Sequence, residues 1–240
     1  MYLTRFRLNT ARTGARRLLS SPQSMHAAVM SSYPELLPTA APVPATAGPR
    51  VLWRVDRNAS AEVLLFLVGP SQPDLTHLVE QAGWPAAAAS GTAGWQTYRY
   101  APFLEGLDKG GTWNFRLTAN PVHSVRNADG APTKRTAHLN ARHQVRWLLE
   151  RQEPCGFRIL TKPEERRHTE HRDEHQVVVR DQCGMDFGKQ GAKGRVTIKT
   201  VTYDGRLEVT DPDALRRVLT GGLGKAKAYG CGLMTLAPVG

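Results

Sequence analysis

The apolar residues of this chain change their spacing in the same order twice, and that repetition limits the fold more than any single motif. In the first half, Tyr2, Thr4, Phe6 and Leu8 alternate with Leu3, Arg5 and Arg7, the period of two expected of a half-buried strand. An Ala/Arg/Leu-rich segment and then Gln23 to Ser32 can be helical, with Ser21-Pro22 as a start because proline suits a first helical turn. Pro34, Pro38, Pro42, Pro44 and Pro49 then stop helix formation, so that stretch reads as a long exposed loop. Val51 to Arg57 and Glu62 to Val68 surround a polar Asn58-Ala59-Ser60 turn and predict a hairpin. Leu75, Leu78, Val79 and Ala82 return at helical spacing until Gly83, and Gln96 to Tyr100 closes the unit as a strand.

The second half repeats this order. Phe115, Leu117 and Ala119 alternate with Arg116, Thr118 and Asn120 in a strand predicted over 112–125, and a helix over 140–152 carries Val145, Leu148 and Leu149. Strands over 156–160 and 176–180 flank a highly charged stretch, and Asp204-Gly205 predicts a hairpin turn between strands 195–203 and 206–209. Asp211 can cap a helix with Pro212 at its first position, Leu215, Val218 and Leu219 inward, and Gly221 at its end, before a last strand over 233–236. The expectation is an α+β chain of two tandem ferredoxin-like, RRM-like βαββαβ domains over 1–102 and 111–240. Neither half carries an RNP-type aromatic motif.

A net charge of +11 over 240 residues raises the odds of a phosphate-rich partner, with nucleic acid the first candidate. The longest strongly apolar run, Val63 to Val68, is too short to span a bilayer, and no basic amphipathic helix advertises a membrane surface. Cys155, Cys183 and Cys231 lack any C-x-x-C pairing, which argues against a disulfide framework or zinc knuckle and fits a reducing compartment such as the cytoplasm. The first thirty-four residues hold arginines and serines but no acid, as a transit peptide would, yet the alternation from Tyr2 onward favours a strand. His168, His171 and His175 would share one face of a helix. Their spacing is not H-E-x-x-H, however, and the interleaved charges suit a solvated loop rather than a metal site.

The tail Gly221-Gly222-Leu223-Gly224-Lys225-Ala226-Lys227-Ala228-Tyr229-Gly230-Cys231-Gly232 concentrates glycine and lysine, and glycine lets backbone N–H groups approach an anion closely. It is not a P-loop, because Ala226 follows Gly224-Lys225 and Leu219 stands where the first glycine belongs. A polyanion groove is one reading; a helix C-cap with close strand packing is the other. Lys189, Lys193, Arg195 and Lys199 punctuate a hairpin over 188–199, where Arg195, Thr197 and Lys199 share a face opposite Val196 and Ile198. They are candidate RNA contacts or the solvated lysines of an edge strand. Arg158 is a further candidate, with a carboxylate on the neighbouring strand as its alternative partner.

The tail from Gly222 to Leu233, ending in Leu236-Ala237-Pro238, resembles the glycine-rich signature of CasE-type CRISPR repeat endoribonucleases. Met1-Tyr2-Leu3-Thr4, Phe115-Arg116-Leu117-Thr118-Ala119-Asn120-Pro121 and Gly205-Arg206-Leu207-Glu208-Val209 agree with that family in the same order, so the resemblance spans nearly the whole chain. It implies a subunit of the type I-E Cascade complex that cuts precursor CRISPR RNA at the base of each repeat hairpin without a metal or other cofactor. The subunit would stay bound to the mature crRNA, beside the crRNA-coating backbone subunit and the other Cascade subunits. The family's catalytic histidine lies in a segment resembling Gln23-Ser24-Met25-His26-Ala27-Ala28-Val29, so His26 inherits that role. Many relatives carry tyrosine three residues earlier; Gln23 stands there instead and can donate a hydrogen bond to a phosphate oxygen but offers no phenol. The implied chemistry is attack by the ribose 2′-OH, leaving a 2′,3′-cyclic phosphate and a 5′-OH. Histidine suits its proton handling, as acid or as base. Gly222, Gly224, Lys225 and Lys227 are then candidate contacts to the RNA backbone.

Overall fold

A computed structural model of the chain describes residues 1–36, 50–58, 62–85, 94–125, 134–168, 173–188 and 195–240. Two compact units emerge, Met1–Gly106 with Lys227–Leu233, and Leu107–Ala226 with Met234–Gly240. Among the described residues, no helix is long and apolar enough to cross a membrane.

The first unit runs β1 (Tyr2–Leu8), α1 (Thr13–Ser20), α2 (Pro22–Ser31), β2 (Leu52–Arg57), β3 (Val63–Gly69), α3 (Thr76–Ala82), β4 (Trp95–Arg99) and α4 (Ala101–Glu105). Its antiparallel sheet has the order β2-β3-β1-β4. Alternation places Phe6 and Leu8 of β1, Leu65 and Leu67 of β3 and Trp53 of β2 in one core with Met25 and Val29 of α2 and Leu78 of α3. Ser21 separates α1 from α2 and caps the latter, its hydroxyl accepting from the Ser24 amide at 3.2 Å, with Pro22 in the first turn.

The second unit runs β5 (Thr112–Ala119), β6 (Val122–Val125), β7 (Lys134–Ala137), α5 (Ala141–Gln152), β8 (Phe157–Ile159), β9 (Val177–Gly188), β10 (Arg195–Val209), α6 (Pro212–Gly221) and β11 (Met234–Pro238). The sheet order is β11-β5-β10-β8, with β9 added along β10. Last, first, third and second strands follow one another as they do in the first unit. The chain is therefore two tandem ferredoxin-like units, the second enlarged by β9 and by the separate β6–β7 hairpin.

Two expectations are corrected. The strand predicted over 112–125 breaks after Ala119, since Pro121 has no N–H for a ladder, and resumes as β6. Asp204-Gly205 does not turn: β10 continues from Arg195 to Val209, with Asp204 paired to Arg116 on one side and Val178 on the other. The glycine is there for closeness. A Cβ on Gly205 would lie 2.3 Å from the Gln176 carbonyl oxygen and 2.9 Å from the Phe115 ring. The hairpin partner of β10 is β9, and their connection at 189–194 lies outside the described residues, as do residues 37–49 of the proline-rich stretch.

Gly205→Ala is therefore expected to lower the unfolding free energy by about 1–3 kcal/mol, the range for overpacking. Gly184→Ala on β9, where a Cβ would meet nothing within 4 Å, is expected to be nearly neutral. Urea unfolding of the two variants side by side checks this.

Candidate functional site

On α2, Met25 and Val29 are fully buried one turn apart, which leaves His26 at the rim of the apolar face, half-buried. Gln23 sits three residues earlier, also half-buried, on the same side of the helix. Burial alone pushes the His26 imidazole below its ordinary pKa of 6.5, so it is neutral at physiological pH. Its Nδ1 faces Trp53 Nε1 on β2 at 3.4 Å. An indole nitrogen only donates, so His26 Nδ1 is the acceptor and the neutral ring carries its proton on Nε2.

The tail comes to this place from the far end of the sequence. Lys227–Tyr229 forms a single 3₁₀ turn packed against both α2 and β2. Gly230 follows with φ of 78°, and a Cβ there would lie 2.7 Å from the Trp53 ring. Arg54, next to Trp53 on β2, is 1% exposed. It forms a two-pronged pair with Asp56 (Nε–Oδ1 2.7 Å, Nη2–Oδ2 2.9 Å) and donates from Nη1 to the Leu233 carbonyl at 2.9 Å. His26, Gln23, Trp53, the Lys227–Tyr229 turn and Gly230 thus belong to one assembly within the first unit.

The other candidates lie elsewhere. Gly222, Gly224 and Lys225 belong to the second unit. Gly222 caps α6, its N–H bonding the Val218 carbonyl. Gly224, with φ of 84°, leaves room for the Trp147 ring, which a Cβ would approach to 3.1 Å. Lys225 forms a backbone bridge with Asn120 and has an exposed side chain. Arg158 is exposed and paired with Glu208 across β8 and β10 at 2.9 Å, a carboxylate on the neighbouring strand. Lys199 is half-buried on β10, where Ile198 turns inward. Lys189 and Lys193 lie outside the described residues, as does the side chain of Arg195. His171 is likewise outside them.

Tyr33 has no access to a substrate. It is 0% exposed, its hydroxyl lacks a hydrogen-bond partner among the described residues, and burial followed by the nearby Glu35 charge raises its pKa. It cannot stand in for the phenol absent at Gln23. Sequence reading also missed a column of three imidazoles, His123 over His138 at 4.4 Å and His138 over His143 at 5.8 Å. These residues come from β6, the residue after β7 and α5, so no local spacing announces them.

Arg54→Ala would strand the Asp56 carboxylate in a buried place and free the tail carbonyl. A loss of about 3–5 kcal/mol is expected, as for breaking a buried pair, whereas Arg54→Met with Asp56→Leu should cost clearly less. Equilibrium urea unfolding of the single and double variants measures both.

Comparison with known proteins places these features in a family. The family described as CRISPR associated protein matches residues 1–238. The CRISPR-associated endoribonuclease Cse3 of Thermus thermophilus is 31% identical over 239 residues, 99% of this chain and 100% of that protein. The CRISPR system Cascade subunit CasE of Escherichia coli is 28% identical over 78% of this chain and 89% of its own length. Among solved structures, Thermus thermophilus Cse3 bound to an RNA representing a pre-cleavage complex superposes with a TM-score of 0.73 at 28% identity, covering 99% of this chain and 98% of that one.

Proposed function

This chain belongs to the CRISPR-associated protein family, and we propose that it is a metal-independent endoribonuclease that cleaves precursor CRISPR RNA at the base of repeat stem-loops. The ribose 2′-OH attacks the adjacent phosphorus, giving a 2′,3′-cyclic phosphate and a 5′-OH, and the protein stays on the mature crRNA as a Cascade subunit in the cytoplasm. The observation that carries this reading is the half-buried, neutral His26 on α2, the helix that packs against the Lys227–Tyr229 turn, in a chain similar over its full length to a protein named as a CRISPR-associated endoribonuclease.

In this reading His26 acts on the reacting phosphodiester, and Gln23, one turn away on α2, donates to a phosphate oxygen. Lys227 stabilises the charge that develops on the phosphorane. Gly222, Gly224, Lys225, Arg158, Lys189, Lys193, Arg195 and Lys199 contact the RNA backbone along the second domain, the domains running over 1–102 and 111–240. A stem of A-form RNA presents phosphates and 2′-hydroxyls rather than readable base edges, which suits such dispersed cations. Gln23 in place of the tyrosine common among relatives favours one second reading, a subunit that binds the hairpin without cutting it.

General acid or base help is typically worth roughly 10² to 10⁴ in rate, about 3–5 kcal/mol. Single-turnover cleavage of the cognate repeat hairpin in excess EDTA is therefore expected for the wild type. His26→Ala should lose most of that rate while holding RNA with unchanged affinity. A single 2′-deoxy substitution at the cut site should abolish product. Equal cutting by His26→Ala would move the chemistry elsewhere, and tight binding with no cutting by either protein would leave the binding subunit.

A further inference from the structure

We propose that Trp53 is a positioning residue for His26: its indole N–H fixes the imidazole as the neutral tautomer with the proton on Nε2, so His26 meets RNA as a hydrogen-bond donor. The inference rests on the reading of His26 given above and says what form of it the fold prepares.

Three observations in the first unit carry it. Trp53 Nε1 lies 3.4 Å from His26 Nδ1, and an indole nitrogen has no lone pair to offer, so this contact exists only while Nδ1 is unprotonated. Trp53 is 3% exposed within the core on β2, so its N–H cannot turn to water instead. The Gly230 backbone, at φ 78°, closes over the indole at a distance where a Cβ would stand 2.7 Å from the ring. The ring is thus held between its strand and the tail, and its single donor is aimed at His26.

The chemical consequence follows from counting protons. A neutral imidazole that acts as a base through Nε2 must carry its proton on Nδ1, where it would point at the Trp53 N–H. An imidazolium would also have to place a proton there. Both forms are opposed by the same donor, and burial opposes the charged one further. What the free protein presents is Nε2–H, a donor to the phosphate or leaving-group oxygen on which negative charge develops. The glycine-rich tail gains a role in this arrangement: Gly230 is small so that Trp53 can sit where it sets His26.

Nitrogen-15 spectra of the histidine ring in the full-length protein test this directly. Wild-type His26 is expected to show the Nε2–H tautomer alone and to titrate below 6.5. Trp53→Phe keeps most of the ring volume and removes the donor. Its His26 should populate both tautomers and titrate higher than in the wild type, and its single-turnover rate should fall about ten- to a hundredfold with RNA affinity unchanged. Mixed tautomers in the wild type, or a tautomer and pKa unmoved by Trp53→Phe, would overturn the proposal. Mixed tautomers in the wild type would overturn it even if the variant fails to fold. A His26→Ala protein that cuts at the wild-type rate would instead remove the catalytic reading while leaving the tautomer result standing.

Discussion

The fixed point of the first unit is a guanidinium that never reaches water. Arg54 is satisfied on two sides by Asp56 and on a third by the Leu233 carbonyl. An uncompensated charge at 1% exposure would cost several kcal/mol, so the arginine demands that the tail be present. A strand that forms from residues 52–57 therefore recruits a segment nearly 180 residues later in sequence. Once Leu233 is held, Gly230 must pass over Trp53 and the Lys227–Tyr229 turn must lie beside α2. The histidine, the indole and the tail are consequences of one ion pair in a place with no solvent to replace it.

The same dependence explains the glycines. Here Gly224 and Gly230 each spend their missing Cβ on an indole, Trp147 in the second unit and Trp53 in the first, and Gly222 terminates a helix. All three adopt positive φ, where any side chain is strained. Packing thus selects glycine at these positions, and a contact of Gly222 or Gly224 with RNA would be made by backbone alone.

Periodicity revealed the two ferredoxin-like units because their strands are half-buried and their helices amphipathic, and neither condition depends on distant partners. Ser21, Pro22, Asp211 and Pro212 marked helix starts for equally local reasons. Asp204-Gly205 misled because a glycine can serve a turn or a close strand contact, and only the Gln176 carbonyl and the Phe115 ring, both remote in sequence, select the second. His26 illustrates the limit for the site. Its position on a short helix is ordinary, and its resemblance to a family motif named it, but the donor that sets its protonation is 27 residues away on a strand. The tail segment packed against its helix is about 200 residues away. No spacing rule joins such groups.

The excess of positive charge divides by burial into residues that hold the protein and residues free to change partners. Arg54 belongs to the first kind. Arg116 and Arg180 share Asp204 at partial exposure and brace β5 and β9 against β10. Arg158 is different: its side chain is 62% exposed and its bond to Glu208 is a surface pair, worth about 0–1 kcal/mol in water. Trading that carboxylate for a phosphate costs little, and the release of counterions from RNA favours the exchange. An arginine with a partner in the free protein is therefore no weaker a candidate for RNA than an unpaired lysine, provided the pair is wet. That criterion separates Arg158 from Arg54 although both are drawn to carboxylates at nearly the same distance.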